Sequence, residues 1–205
     1  MMVRQAQQQD LQSVAQVHSI CFPDSFSTAL GKKLLVKFYE EYFRDVPELF
    51  LVAENEPGQI IGFCMGYYCG NNPYMKRFFK NNPVRVALRM VWLLLSGNRA
   101  AWKKVKGMFA RKNAAQIINT QYRGVKTKDC GDLLSICVLA EHRGTGAAQE
   151  LMDRYQQVLL SQGRRICLLS VAVDNPRGIR FYERNGFVPY RQLGDIARTY
   201  IKPLE

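Results

Sequence analysis

Between Asp132 and Val173 the chain passes from an apolar stretch, DLLSICV, through Gly144 and Gly146 into the pattern QELMDRYQQVLL, then back to a second apolar stretch, RICLLSVAV. Apolar runs of strand length alternating with a helical period need a sheet with helices packed on it, so this half reads as a mixed α/β sheet. The junction after DLLSICV constrains the chain further. A strand that turns through glycines into a helix leaves backbone N–H groups without intrahelical partners and aims the positive end of the helix dipole at them. Such a turn is a cradle for a phosphate or pyrophosphate. No Gly-Lys-Ser/Thr follows, which excludes a Walker A loop. Gln149 stands where the third glycine of a dinucleotide fingerprint would fall.

The front half is read from caps and periods. Val3 to Ala6 is an edge-type strand, and Asp10 is placed to cap a helix carrying Leu11, Val14, Ala15, Val17 and Ile20 and ending near Cys21. After the loop Phe22-Pro23-Asp24-Ser25-Phe26, Ser27 or Thr28 can cap a second helix that bears Leu34, Leu35, Phe38, Tyr39 and Tyr42 and stops before Pro47. Leu49 to Glu54 and Gln59 to Tyr68 are β-rich runs joined by Asn55-Glu56-Pro57-Gly58, the chemistry of an antiparallel hairpin. At the other end, Thr145 to Gln162 reads as a helix, Arg165 to Val173 as a strand, Pro176 to Arg184 as a short helix, and Phe187 to Leu193 and Ala197 to Ile201 as late strands.

The net charge of +12 is unevenly placed. Residues 71–128 hold fourteen Lys and Arg and no Asp or Glu, which leaves fifteen basic against seventeen acidic residues elsewhere. A near-neutral protein is thus interrupted by an all-basic segment. Its first part reads as a helix with Val84, Leu88, Val91, Trp92 and Leu95 close to one face, and a second helical piece is expected from about Ala100 to Ile118. Three roles suit it: a solvated face, a peripheral membrane contact through residues 76–112, or a site for anionic substrates. Specific nucleic-acid binding is not indicated, since no reading helix or stacking motif accompanies the charge.

Metal chemistry lacks its ligands: the six cysteines form no C-x-x-C pair and the two histidines are His18 and His142. Four cysteines, Cys64, Cys69, Cys137 and Cys167, fall in strand-like apolar stretches and read as buried thiols of a reducing compartment. With no apolar signal segment at the start and no run long enough to span a bilayer, a cytoplasmic protein is expected, or one peripheral to the inner membrane surface.

The cradle and a downstream block together resemble one family. Arg143-x-x-Gly146-x-Ala148 matches the Q/R-x-x-G-x-G/A signature of the GCN5-related N-acetyltransferases (GNAT). Asn175-Pro176-Arg177-Gly178-Ile179-Arg180-Phe181-Tyr182-Glu183-Arg184-Asn185-Gly186-Phe187 resembles that family's N-x-x-A-x-x-F-Y-x-x-x-G-F segment. The departures are Ala148 for the commoner Gly, Gly178 for the commoner Ala, and the basic insertion over 71–128 that precedes the cradle strand.

The resemblance implies a single acetyltransferase domain over residues 1–205, with a mixed, mostly antiparallel twisted sheet of about seven strands, flanking helices and a basic helical insertion at 71–128. It implies acetyl-coenzyme A as co-substrate, no metal, and direct attack by a primary amine. The cofactor would lie on Ile136, Cys137, Val138, Arg143, Gly144, Thr145, Gly146, Ala147, Ala148 and Asn175. The backbone N–H of Val138 or a near neighbour would polarise the thioester carbonyl in the manner of an oxyanion hole. Tyr182 would protonate the departing thiolate. Cys137 reads as a packed thiol rather than a nucleophile, because no histidine partners it. Asp24 and Glu54 are candidate bases, and His142 sits at the cradle rim.

A looser likeness of the FPDSFSTALGKKLL loop and the long insertion to acetyltransferases of surface-polysaccharide biosynthesis favours a small, anionic amine such as an amino-sugar nucleotide. A protein N-terminus or lysine is the alternative acceptor. A non-catalytic coenzyme A-binding module anchored to an anionic membrane by the insertion is the rival from another class. Monomer and homodimer are both compatible with the sequence.

Overall fold

The computed structural model describes residues 1–56, 58–70, 73–98, 101–102 and 116–205. In chain order these form β1 (Met2–Gln5), α1 (Leu11–Cys21), α2 (Phe26–Ala29), α3 (Lys32–Phe43), β2 (Phe50–Glu54), β3 (Ile60–Tyr68), α4 (Tyr74–Asn81), α5 (Pro83–Leu95), β4 (Gln116–Ile117), β5 (Cys130–Val138), α6 (Ala147–Ser161), β6 (Ile166–Ala172), α7 (Pro176–Arg184), β7 (Val188–Leu193) and β8 (Ala197–Pro203). The strands make one sheet in the order β1-β2-β3-β5-β6-β8-β7-β4. Among these pairs β5–β6 is parallel and the others are antiparallel.

Residues alternate sides along a strand, and β3 shows what each face of the sheet meets. Phe63 points to the α1 and α3 side, with its ring centroid 5.6 Å from that of Tyr39 and 6.4 Å from that of His18. Cys64 and Gly66 point to α6, where the Cys64 thiol bonds to the Leu151 carbonyl and the Tyr155 hydroxyl fills the space a side chain at Gly66 would need. Because both faces are covered, β2 and β3 are buried almost end to end, which explains their unbroken apolar sequence.

Three sequence expectations are corrected. Asp10 does not cap α1: its carboxylate accepts from the Gln7 N–H at 2.7 Å and pairs with Arg4, which also holds Glu54 at 2.7 Å. The second helix is broken in two, because Ser25 caps the one-turn α2 and Gly31, at φ +93°, turns the chain into α3. Of the helix expected over residues 100–118, residue 100 and residues 103–115 lie outside the described residues. At its end Gln116 and Ile117 are extended rather than helical and pair with Gln192 and Arg191 of β7, adding a short eighth strand to the about seven expected.

On α5 the stripe Val84, Leu88, Val91, Trp92 and Leu95 does share one face, which looks to solvent, whereas Val86 and Leu93 on the opposite side pack with Leu30, Leu34, Phe78 and Ala101. This small core, with Arg77 reaching the buried Glu41 carboxylate and Asp45 on the body of the protein, holds the basic segment against α2 and α3.

Candidate active site

One extra residue in β5 opens the site. The β3–β5 register runs Gly62↔Val138 to Met65↔Ser135 and then jumps to Gly66↔Leu133, so Leu134 is bulged out of the ladder. A bulge bends its strand. The parallel pairing with β6 covers only Cys130–Leu133 against Ile166–Leu169 and ends at that point, so β5 and β6 splay apart beyond it. Gly66 allows the bend, since a Cβ there would collide with the Asp132 carbonyl oxygen and the Tyr155 hydroxyl.

Beyond the bulge one edge of β5 has no partner strand among the described residues. The Leu139 N–H donates to the Ile61 carbonyl of β3 at 2.8 Å. Backbone groups of an antiparallel strand alternate sides, so the Cys137 N–H also faces β3, while those of Ile136 and Val138 face the gap toward β6. The gap is an open cavity of about 1070 Å³ lined by Ile136, Cys137, Val138, Arg143, Gly144, Gly146, Ala148, Asn175 and Tyr182, all expected from the sequence.

Two expected residues take other positions. Ala147 turns its methyl into the core, and the Thr145 hydroxyl is bonded to the His142 carbonyl at 2.8 Å. Both still belong to the turn that ends the splayed strand. There Gly144 and Gly146 hold φ of +85° and +89°, and the N–H groups of residues 144–149 take no partner among the described residues. This is the anion cradle in three dimensions.

The opposite wall is α7. Asn175 caps it by accepting the Gly178 N–H at 2.9 Å, which assigns that amide to the helix start. Gly178 leaves room for this cap: a Cβ there would lie 2.6 Å from the Asn175 amide nitrogen. Tyr182 lies between the rings of Phe181 and Phe187, and its hydroxyl has no hydrogen-bond partner among the described residues. Burial pushes its phenol up to about 12, so at neutral pH it carries a proton it can give. Arg177 and Arg184 line the same cavity and make its wall cationic. They lay in the Asn175–Phe187 block, but the period of a short helix did not reveal that they face the cradle.

On the third side stands the α1–α2 loop. The buried Tyr39 hydroxyl, whose ionisation burial opposes, is hydrogen-bonded to His18 Nδ1 at 2.5 Å. The other ring nitrogen, Nε2, is hydrogen-bonded to Ser25 Oγ at 3.2 Å. Ser25 Oγ donates to Thr28 Oγ1, and that hydroxyl donates to the Phe22 carbonyl at 2.8 Å. This chain of bonds, which ends on a carbonyl, holds the loop in place, and His18 and Ser25 line the cavity from that side. Burial keeps His18 neutral by lowering its pKa to about 4. The sequence reading gave His18 no such part.

The candidate bases fare differently. Glu54 is held by Arg4 across β1 and β2, and Asp24 is exposed on the loop; neither lines the cavity, and no Asp or Glu among the described residues does. His142 lines it, with ring nitrogens that bond to none of the described residues. Burial and the neighbouring Cys21 thiol raise Cys137, which leaves it a protonated, weakly nucleophilic thiol.

Residues 107–187 match the acetyltransferase (GNAT) family. The chain is 33% identical over 63 residues to N-alpha-acetyltransferase 30 of Schizosaccharomyces pombe; the match spans 31% of this chain and 42% of that protein, less than half of the relative's length. Among solved structures it is similar to arylalkylamine N-acetyltransferase 2 from Aedes aegypti (TM-score 0.67, 14% identity, covering 100% of this chain and 99% of that one). It is also similar to Ard1 from Thermoplasma volcanium (TM-score 0.58, 17% identity, 100% and 97%). A third is Naa20 of Chaetomium thermophilum, solved with a bisubstrate analogue (TM-score 0.57, 18% identity, 100% and 87%). At these identities the structures speak for the fold.

Proposed function

We propose that this chain, a member of the acetyltransferase (GNAT) family, moves the acetyl group of acetyl-coenzyme A onto a primary amine. One observation carries the reading: a cavity in which an unpaired strand edge and an unpartnered, protonated tyrosine face each other, closed at one end by an anion cradle. The fit to the co-substrate is chemical. Its pyrophosphate suits the free N–H groups of residues 144–149 and the Arg143 and Arg177 side chains, and its amide-bearing arm suits the open edge at Ile136 and Val138.

The thioester supplies the activated acetyl group, and this chain's residues do the rest. The Val138 N–H, fixed by the strand, gives a preorganised donor to the carbonyl oxygen as negative charge gathers there. The Tyr182 hydroxyl hands its proton to the leaving sulfur. With no carboxylate among the described lining residues, the acceptor enters as a free amine or loses its proton at His142 or to solvent.

For the acceptor, a small anionic amine such as an amino-sugar nucleotide suits the all-basic segment 71–128. The α-amino group of a protein is the second reading, favoured by the relatives named N-alpha-acetyltransferase 30 and Naa20. The test is turnover of acetyl-coenzyme A by the purified chain against amino-sugar nucleotides, simple amines and short peptides, alongside thermal-shift titrations with acetyl-coenzyme A and NAD. Tyr182→Phe should lower turnover on the order of a hundredfold while the acetyl-coenzyme A shift persists. An unchanged rate would remove Tyr182 from the chemistry, and no shift with acetyl-coenzyme A would end the reading.

A further inference from the structure

The helix α5 has apolar residues nearly all round, and such helices normally sit inside a core or a bilayer. Here only one side is covered. Val86 and Leu93 pack inward, while Val84, Leu88, Val91, Trp92 and Leu95, at spacings of four, three, one and three, form a continuous stripe on the outside. Leu88 is 68% exposed and Leu95 is 84% exposed. Together the five leave on the order of several hundred Å² of apolar surface in water, about the size at which a patch marks an interaction face. Trp102, also exposed, donates its indole N–H to the Leu94 carbonyl and extends the patch at its far end.

Charge decides what this face fits. Arg85 lies beside the stripe, and the Arg89 guanidinium stacks 4.4 Å over the Trp92 ring, an apolar stem with a cationic head at its margin. Along the sequence the stripe lies within the segment 71–128, which holds fourteen cations and no anion. A second copy of this chain would bring two such segments face to face, which like charges oppose. A surface that is apolar inside and anionic at its boundary matches both features. No helix among the described residues is long and apolar enough to cross a membrane, so α5 would lie in the plane of the surface.

We propose that the outer stripe of α5 is a docking face for an anionic lipid membrane. On the body of the protein, α5 is fixed by the inner contacts of Val86 and Leu93 and by the Arg89 Nε bond to the Ala29 carbonyl at 3.0 Å, next to the loop that walls the cavity. Docking therefore sets how that loop stands to the membrane.

The experiment is co-sedimentation of the full chain with vesicles of phosphatidylcholine alone and of phosphatidylcholine with phosphatidylglycerol, at low and at high salt. Binding is expected to the anionic vesicles only, weakened at least tenfold by high salt. It should be lost in the double variant Leu88→Glu/Leu95→Glu, whose thermal midpoint should match that of the parent because both side chains project into solvent. Arg85→Gln, which leaves the stripe intact, should weaken binding about fivefold. Equal binding to neutral vesicles, no binding to either, or full binding by the double variant would overturn the proposal. So would lipid-free self-association that the double variant abolishes, which would assign the face to a second copy.

Discussion

Buried neutral and clamped between Tyr39 and Ser25, His18 makes the stability of this protein depend on pH in a way that can be worked out. Its pKa falls from 6.5 toward about 4 because burial disfavours the imidazolium. Between those values the unfolded chain binds the proton and the folded chain does not, so the stabilisation is complete above pH 6.5 and is lost as pH falls toward 4. At about 1.36 kcal/mol per pH unit the full loss is about 3 kcal/mol, of which about 2.5 kcal/mol is gone at pH 4.5 relative to pH 7.5. Urea unfolding of the parent and of His18→Gln at these two pH values isolates the effect, since other titrating groups are common to both. The parent should lose about 2.5 kcal/mol more than the variant. With only two histidines in the chain, the ring resonances can be assigned by the same variant. Equal losses in the two proteins, or a His18 ring that titrates near 6.5, would refute the clamp.

Gly66→Ala places a methyl against the Asp132 carbonyl and the Tyr155 hydroxyl, neither of which can move without opening the β3–β5 ladder. Chemical denaturation should show a loss of about 3 kcal/mol. Gly146→Val meets no neighbour but must hold a positive φ. Strain of about 2 kcal/mol and a weaker acetyl-coenzyme A thermal shift should therefore appear together. Burial raises the Asp132 carboxyl to about 6, so folding is favoured below pH 4 and that stabilisation is lost as pH rises through 6. Asp132→Asn should raise stability at pH 7.5 by about 2 kcal/mol and leave it nearly unchanged at pH 4, as read from urea midpoints.

What the sequence made legible was what it encodes locally. The cradle is six consecutive residues at a strand-to-helix turn, and the Asn175–Phe187 block is one helix with its cap, so spacing alone set their geometry. The third wall is not local. Tyr39 and His18 are 21 residues apart on two helices, and nothing in either period marks that their polar atoms meet. The bulge at Leu134 escapes a reading of strand period, because one unpaired residue changes no composition. Asp10 followed the rule for a helix cap until a stronger partner, Arg4 on the neighbouring strand, took its carboxylate. For α5 the sequence marked an apolar stripe correctly and left open which side the body would cover, because Val86 and Leu93 on the opposite side are apolar too.

An unpaired strand edge is ordinarily a hazard, because it recruits other chains and seeds aggregation. The edge at Ile136 and Val138 escapes that hazard by its setting rather than by its residues. It lies in the interior of an eight-stranded sheet, bounded by β6 in front and by the α6 and α7 ends, which Gln149 and Asn185 join at 2.6 Å. A strand flanked by its own sheet would have to displace those neighbours to reach it, whereas a single slender chain would not. Access here is governed by cross-section, and a protein so arranged can keep a sticky edge permanently open at high cellular concentration.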